Sequence, residues 1–316
     1  MRTWWMAGLL SIGLAACATG RQAASVPDVA PLQAVQVSPH AWYVQGHSAV
    51  GSRENRNFIS NAGFVVTPEG VVVIDALGSP ALARALLQTI RRVTPLPVTR
   101  VILTHYHADH VYGLQVFKAA GATVIAHEGG REYLNSETAR LRLKASIDEG
   151  LTEPATHFVP ADVWVSGSTS FDVGGMRFEA MHVGPSHTPE DLAVYVPAAG
   201  VLFAGDLVFR GRVPFVGEAD SRRWIASLDQ LLKLPVKVIV PGHGPYSTQP
   251  SADLQLTRDY LAYLRQTMGA AALEMTPFDE AYKATDWSRF EPLPLFREAN
   301  RMNAYNTYLL MEQQQK

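Results

Sequence analysis

The spacing of apolar residues changes period several times between positions 35 and 250, and each change predicts an element. Val35 to Val44 and Phe58 to Thr67 read as strands, and Val71 to Ile74 is a short, wholly apolar one. Pro68-Glu69-Gly70 supplies the turn between the last two. Gln45 to Asn57 is polar and glycine-containing, the composition of a loop over a site or of a surface hairpin tip. Ser79-Pro80 opens a helix, with Ser79 as N-cap and Pro80 at the first position, and Leu82, Leu86, Leu87 and Ile90 fall on one face. Strand Arg100 to Leu103, helix Val111 to Ala119, strand Thr123 to Ala126 and a charged amphipathic helix Glu132 to Glu149 follow. Alternation of this kind predicts an α/β fold.

From Ser166 to Gly200 short strands alternate with Gly, Pro and Asp turns: Ser170 to Val173, Met176 to His182 and Leu192 to Val196. Val201 to Ala204 is a buried strand running into Gly205-Asp206. Ser221 to Leu232 is a helix with Trp224 and Leu228 inward, and Lys237 to Val240 is a last buried strand ending in Pro241-Gly242-His243-Gly244. The two halves look alike, which predicts two mixed sheets face to face, helices outside, and polar loops gathered at one edge. After Pro250 the pattern turns helical, over Ala252 to Ala272 and, beyond Pro292-Leu293-Pro294, over Leu295 to Gln313. Residues 251–316 therefore read as a C-terminal helical extension packed on a domain spanning 35–250, with a surface for an oligomer or a partner as the alternative.

The N-terminus changes the picture of where the domain works. Arg2 and the apolar stretch Trp4 to Leu14, too short to span a bilayer comfortably, lead into Leu14-Ala15-Ala16-Cys17. This resembles a bacterial lipoprotein signal over 1–17, with Cys17 lipidated. A plain signal cleaved near Ala16 or Ala18 is the alternative. Ala18 following the cysteine implies the outer membrane, so the expected address is the periplasmic side, with membrane contact only through the lipid anchor. Residues 18–34, rich in Ala, Gln and Pro toward the domain, form the linker. Cys17 is the only cysteine, so neither a disulfide nor a cysteine metal ligand is available within the chain. The net charge of −2 over 316 residues, without a basic cluster, gives no reason to invoke nucleic acid.

The candidate chemistry is concentrated in Thr104-His105-Tyr106-His107-Ala108-Asp109-His110, three histidines and a carboxylate on a tight turn after a strand. Neutral imidazoles and a carboxylate suit Zn²⁺ or a related first-row metal, provided distant ligands join them. His40, His47 and His157 lie in loop-like stretches and read as exposed, while His127 and His182 read as structural.

Five motifs in order carry a resemblance to the metallo-β-lactamase-fold superfamily: Asp75 after Val71–Ile74, the His105-x-His107-x-Asp109-His110 turn, His187 in Gly184-Pro185-Ser186-His187-Thr188, Asp206 in Phe203-Ala204-Gly205-Asp206, and His243 in Pro241-Gly242-His243-Gly244. The resemblance covers residues 35 to about 248 and implies a four-layer αββα sandwich with two zinc ions per chain. Carried over by position, His105, His107 and His187 hold one ion. Asp109, His110 and His243 hold the other, with Asp206 bridging or completing the second site. Asp75, Thr104 and Thr188 are expected to hold the ligand loops by hydrogen bonds. The nucleophile is then a metal-bound hydroxide, oriented by Asp109, which receives its proton.

The resemblance implies a hydrolase of an ester, thioester or amide-type carbonyl in a small molecule. Asp206 stands where some β-lactamases carry cysteine, and Leu207-Val208-Phe209 follows in place of a lysine, which lowers but does not remove the β-lactamase alternative. Arg210 or Arg212 is a candidate for an anionic group. Asn61-Ala62-Gly63-Phe64 and Asn303-Ala304-x-x-x-Tyr308-Leu309-x-x-Glu312 resemble a narrower, SoxH-like group of exported metallohydrolases linked to quinoprotein or sulfur-oxidation systems. The third alternative is therefore an accessory protein that meets a periplasmic partner through its C-terminal helices. Specificity is expected in loops Gln45 to Asn57 and Phe209 to Glu218.

Overall fold

Val71, Val72, Val73 and Ile74 are all buried, and they divide by alternation between two cores: Val71 and Val73 on one side, Val72 and Ile74 on the other. A strand with both faces covered has no polar positions to spare, which is why the run is continuous rather than alternating. The computed structural model describes residues 29–217 and 219–314. The expected signal segment 1–17, Cys17 and linker residues 18–28 lie outside these.

A seven-stranded sheet forms in chain order from β1 (Ala34–Ser38), β2 (Ala41–Val44), β3 (Ala62–Thr67), β4 (Gly70–Ile74), β5 (Val98–Ile102), β6 (Thr123–His127) and β7 (Val163–Val165). Its first four strands pair antiparallel and the rest parallel. Between β4 and β6 lie helices α1 (Pro80–Val93), α2 (Ala108–Val111) and α3 (Leu114–Ala119), and between β6 and β7 lie α4 (Gly130–Asn135) and α5 (Glu137–Asp148). The second sheet holds β8 (Thr169–Val173), β9 (Met176–Met181), β10 (Ala193–Val196), β11 (Val201–Phe209) and β12 (Val238–His243), in the order β12-β11-β10-β9-β8. Only β11 and β12 run parallel there. Helix α6 (Ser221–Leu231) connects them, and α7 (Pro250–Leu273), α8 (Phe278–Ala284), a π-helical turn Phe296–Asn300 and α9 (Arg301–Gln314) complete the chain.

Three apolar clusters define four layers. Val65, Val72, Ile102, Phe178, Val194, Phe203 and Val240 pack between the sheets. Leu82, Leu86 and Ile90 of α1 cover the outer face of the first sheet through Val73, Val101 and Val124. Trp224 and Leu228 of α6, Leu254, Leu261 and Leu264 of α7 and Ala304 of α9 cover Leu202, Ala204 and Ile239 of the second. Burial of each such large side chain contributes on the order of 2 kcal/mol. Helices outside two mixed sheets make the αββα sandwich, and the C-terminal helices join its outer layer through this common core. Ser79 caps α1 as expected, accepting from the Leu82 amide at 3.2 Å.

Several boundaries differ from the sequence pattern. Val35–Val44 is a hairpin that turns at Pro39-His40. Glu132–Glu149 is two helices, because Ser136 leaves the helical conformation and caps α5 by accepting from the Ala139 amide at 3.0 Å. Strand β7 escapes the pattern because it is three residues long. Strands β11 and β12 run further than the apolar stretches, through Gly205-Asp206 and to His243, so the polar residues lie at the strand ends themselves.

Candidate metal centre

All the loops that follow the parallel strands β4, β5, β11 and β12 open at one edge of the sandwich, the end where such sheets place ligands. Strand β4 delivers Asp75, β5 the histidine turn, β11 Asp206 and β12 His243. His187 comes from the turn between β9 and β10.

Two groups of side chains meet there with their ligand atoms within 4.8 Å of one another: His105, His107, His187 and Asp206, and Asp109, His110 and His243. His187 Nε2 lies 2.9 Å from His107 Nδ1. Asp206 stands between the groups, with Oδ1 3.1 Å from His110 Nε2 and Oδ2 3.4 Å from His187 Nε2, 3.3 Å from His243 Nε2 and 3.8 Å from His105 Nε2. Asp109 Oδ2 lies 3.4 Å from His243 Nε2 and 3.6 Å from His110 Nε2. Gly242 is required beside it, since a Cβ there would come within 2.0 Å of Asp206 Oδ1.

Three rings are fixed from behind. Asp75 accepts from the Thr104 amide at 2.8 Å and the Thr104 hydroxyl at 2.9 Å, and its Oδ2 also faces His110 Nδ1 at 2.8 Å. Because the Thr104 hydroxyl is donated to Asp75, it accepts from His105 Nδ1, 3.0 Å away. His243 Nδ1 donates to the Ile59 carbonyl at 2.7 Å. In each case a proton sits on Nδ1 and Nε2 is turned to the centre, where a cation binding at His110 displaces the second proton that its carboxylate neighbours favour. His105 Nε2 is buried without a hydrogen-bond partner, and His110 Nε2 and Asp206 Oδ1 face only each other, 3.1 Å apart. Such an orphan is costly unless something else occupies it, and a divalent cation fits this donor set.

The electrostatics agree. Burial, reinforced by neighbouring imidazoles, holds His105 and His107 well below the usual histidine range, and burial also lowers His187. These imidazoles are therefore neutral, the form that binds metals. Burial would lower His110 too, but Asp206, Asp109 and Asp75 outweigh it and hold it well above the usual range. Burial would raise Asp206, yet His243 and His110 keep it well below the usual carboxylate range.

Thr188 touches neither group directly. Its amide and hydroxyl donate to Asp191 at 2.7 and 2.8 Å, closing the turn that carries His187, and the Leu192 amide bonds to the Thr104 carbonyl at 2.8 Å. His127 and His182 stack on each other 4.1 Å apart, away from these groups, and His182 Nδ1 meets the Asp191 carbonyl.

The sequence pattern missed the segment Ile59-Ser60-Asn61. Ser60 Oγ donates to the Asp109 carbonyl at 2.5 Å, and Asn61 Nδ2 donates to the carbonyls of Pro241 and Gly244, which flank the His243 turn. It also missed the role of Asn303 on α9. That side chain donates to the Pro214 carbonyl and accepts from the Val216 amide, pinning the 209–217 loop from the C-terminal extension. Both asparagines stand in quoted motifs, but which backbone they meet depends on contacts between residues far apart in the chain.

Residues 55–243 match the sequence profile described as the Metallo-beta-lactamase superfamily. A linear primary-alkylsulfatase from Pseudomonas sp. (strain ATCC 19151) is 25% identical over 252 residues, 67% of this chain and 47% of that protein. A metallo-beta-lactamase type 2 from Bacillus cereus is 26% identical over 214 residues, 66% of this chain and 75% of that protein. Among solved structures, the stereoselective inverting sec-alkylsulfatase Pisa1 from Pseudomonas sp. superposes with a TM-score of 0.69 at 20% identity, over 88% of this chain and 50% of that one, a likeness of fold. The chain thus spans about half the length of the alkylsulfatases it resembles. With the motifs, the sandwich and the profile in agreement, the chain belongs to the metallo-β-lactamase superfamily, whose members include metal-dependent hydrolases.

Proposed function

We propose that the protein is an exported dinuclear zinc hydrolase that acts on an ester, thioester or amide-type carbonyl. The observation that carries this reading is the pair of adjacent ligand groups with Asp206 between them. Two zinc ions held there would supply Lewis acidity toward a carbonyl oxygen and lower the pKa of a water molecule. The chain supplies the rest. His105, His107 and His187 form one set of ligands, Asp109, His110 and His243 the other, and Asp206 reaches both. Asp109, the least buried carboxylate of the cluster, is the group this reading assigns to orient a nucleophilic water and take its proton. Phe215, exposed and edge-on to the His187 ring, offers an apolar surface beside the ligands.

Attachment to the outer membrane through Cys17 belongs to this proposal and rests on the Leu14-Ala15-Ala16-Cys17 sequence. Among the described residues no helix is long and apolar enough to cross a membrane. A second reading, β-lactam hydrolysis, is supported by the relative from Bacillus cereus.

The test is metal analysis coupled to turnover of a panel of carboxylic esters, thioesters, lactones, β-lactams and sulfate esters by wild type and Asp109→Ala. Stoichiometric zinc and turnover of a carbonyl ester that Asp109→Ala loses are expected. Protein that turns the ester over equally well with Asp109→Ala would refute the assigned role, and preference for a β-lactam would select the second reading.

A further inference from the structure

His110 and His243, the imidazoles of one ligand group, are both bonded from behind through Nδ1. In the other group only His105 is. His107 and His187 meet each other at 2.9 Å, His187 Nδ1 is buried without a partner, and among the described residues no further hydrogen bond reaches either ring. Phe209 and Trp224 pack around the His187 ring, and Tyr133 lies edge-on to His107. Such packing limits the tilt of an imidazole but leaves its position to the backbone that carries it. The spacing of His107 and His187 therefore depends on how their two turns are joined.

Two bonds join these turns, and they bracket His105. On one side the Leu192 amide donates to the Thr104 carbonyl at 2.8 Å, a main-chain bond that does not depend on the side chain at 192. On the other side the Tyr106 amide, between His105 and His107, donates to Glu190 Oε1 at 3.4 Å. Among the described residues that buried amide has no other acceptor. Glu190 is itself fixed relative to His187, because Thr188 bonds to Asp191 and closes the turn between them.

Glu190 is buried, and no lysine or arginine pairs with it among the described residues. Burial raises its carboxyl above the usual range, and the amides it faces offset this only in part. A buried carboxyl so thinly bonded is unfavourable for folding alone. The start of α4 nevertheless makes room for the pair: a Cβ at Gly129 would come within 3.1 Å of Glu190 Cβ, and one at Gly130 within 2.4 Å of the Tyr106 ring. That ring is anchored against Trp164 of β7, with centroids 5.9 Å apart, so the Tyr106 amide is a fixed point for Glu190 to hold.

We propose that Glu190 is a positioning residue for the ion assigned to His105, His107 and His187: its carboxyl clasps the histidine turn to the His187 turn and sets the spacing of that ligand group. The assignment rests on the two-ion reading and deepens it. Glu190 bonds to no ligand ring among the described residues and acts through the Tyr106 amide. His110 and His243 have their own supports in Asp75 and the Ile59 carbonyl, so the effect is confined to one ion.

The test compares full-length wild type, Glu190→Ala and Glu190→Gln, with His107→Ala and His243→Ala marking the two ions. Competition with a chromophoric chelator reads zinc affinity, the visible spectrum of cobalt(II)-loaded protein reads ligand geometry, and amide hydrogen exchange in metal-free protein reads the Tyr106 bond. Glu190→Ala should weaken one ion by about 10–100-fold, the one that His107→Ala loses and His243→Ala keeps, and leave the other unchanged. The cobalt spectrum should change at that ion, and the Tyr106 amide should exchange faster than in wild type. Glu190→Gln, which keeps an accepting oxygen, should restore most of the affinity and the slow exchange. Equal weakening of both ions, as a general structural fault would cause, would overturn the proposal. Unchanged affinities, or a loss in Glu190→Gln as large as in Glu190→Ala, would do so too. Should Glu190→Ala not fold, slow Tyr106 exchange in wild type with affinity kept in Glu190→Gln upholds the clasp, and fast exchange in wild type removes it. If wild type binds no zinc, the two-ion reading fails, and the exchange comparison still decides whether Glu190 joins the two turns.

Discussion

His243 Nδ1 donates to the carbonyl of Ile59 at 2.7 Å, across 184 residues of chain. This bond and its neighbours join the two halves of the sandwich at the candidate metal centre. Ser60 holds the carbonyl of Asp109, and Asn61 holds both sides of the His243 turn. Three consecutive residues thus register two ligands of one group against each other.

Asn61→Ala removes the donors to the buried Pro241 and Gly244 carbonyls and the acceptor for the Gly46 amide at 3.1 Å. With two carbonyls left unpaired, stability should fall by about 2–5 kcal/mol. Chemical denaturation measures that loss. Metal analysis should show weaker retention of the ion assigned to Asp109, His110 and His243. Full stability with full metal content would contradict the role given to Asn61.

Asp75 makes three contacts at once, to the Thr104 amide, the Thr104 hydroxyl and His110 Nδ1. Asparagine keeps the shape but replaces one accepting oxygen with a donor. Asp75→Asn should therefore weaken metal affinity by roughly 10–100-fold, read by competition with a chromophoric chelator. Unaltered affinity would mean that the rings are oriented by packing alone.

Burial raises Asp191 well above the usual carboxylate range, against the opposing bonds from Thr188 and with help from Glu190 and Asp206. The folded protein therefore binds this proton more tightly than the unfolded chain does. The associated stabilisation is complete below the unfolded carboxylate pKa and is lost as pH rises through the higher folded value. In metal-free protein, Asp191→Asn should flatten the decline in stability between those two values while keeping a bond from the Thr188 amide. Denaturation midpoints across pH measure it, and parallel profiles for wild type and variant would sink the assignment.

Asn303 reaches from α9 to the Pro214 carbonyl at 2.7 Å and the Val216 amide at 2.9 Å, and also meets Tyr260 Oη at 2.9 Å. Asn303→Ala should destabilise the fold by about 1–3 kcal/mol. It should also raise KM more than it lowers kcat, because it frees the loop bearing Arg212 and Phe215 but touches no metal ligand. A loss confined to kcat would point to a different coupling.

How much of this was legible in the sequence depended on how local the cause was. The apolar runs at Val71–Ile74 and Val201–Ala204 and the Ser79-Pro80 cap carry their own signals, so the sheets and α1 were readable. The histidine turn, His187, Asp206 and His243 were readable as chemistry because few folds assemble such a set. The break at Ser136 was obscured because the charged pattern continues on both sides of it. The choice between Arg210 and Arg212 was hidden because Asp253, which takes one of them, lies on a helix 43 residues away. Ile59, Ser60 and Asn61 act mainly through backbone groups that have no pattern in sequence.

The most direct test of the central claim is a zinc titration of metal-free protein followed by turnover of a carbonyl ester. Two ions per chain should bind, with activity saturating at two equivalents, and His243→Ala should retain one. Saturation of the wild type at one equivalent, or turnover unaffected by removing the metal, would contradict the two-ion hydrolytic centre.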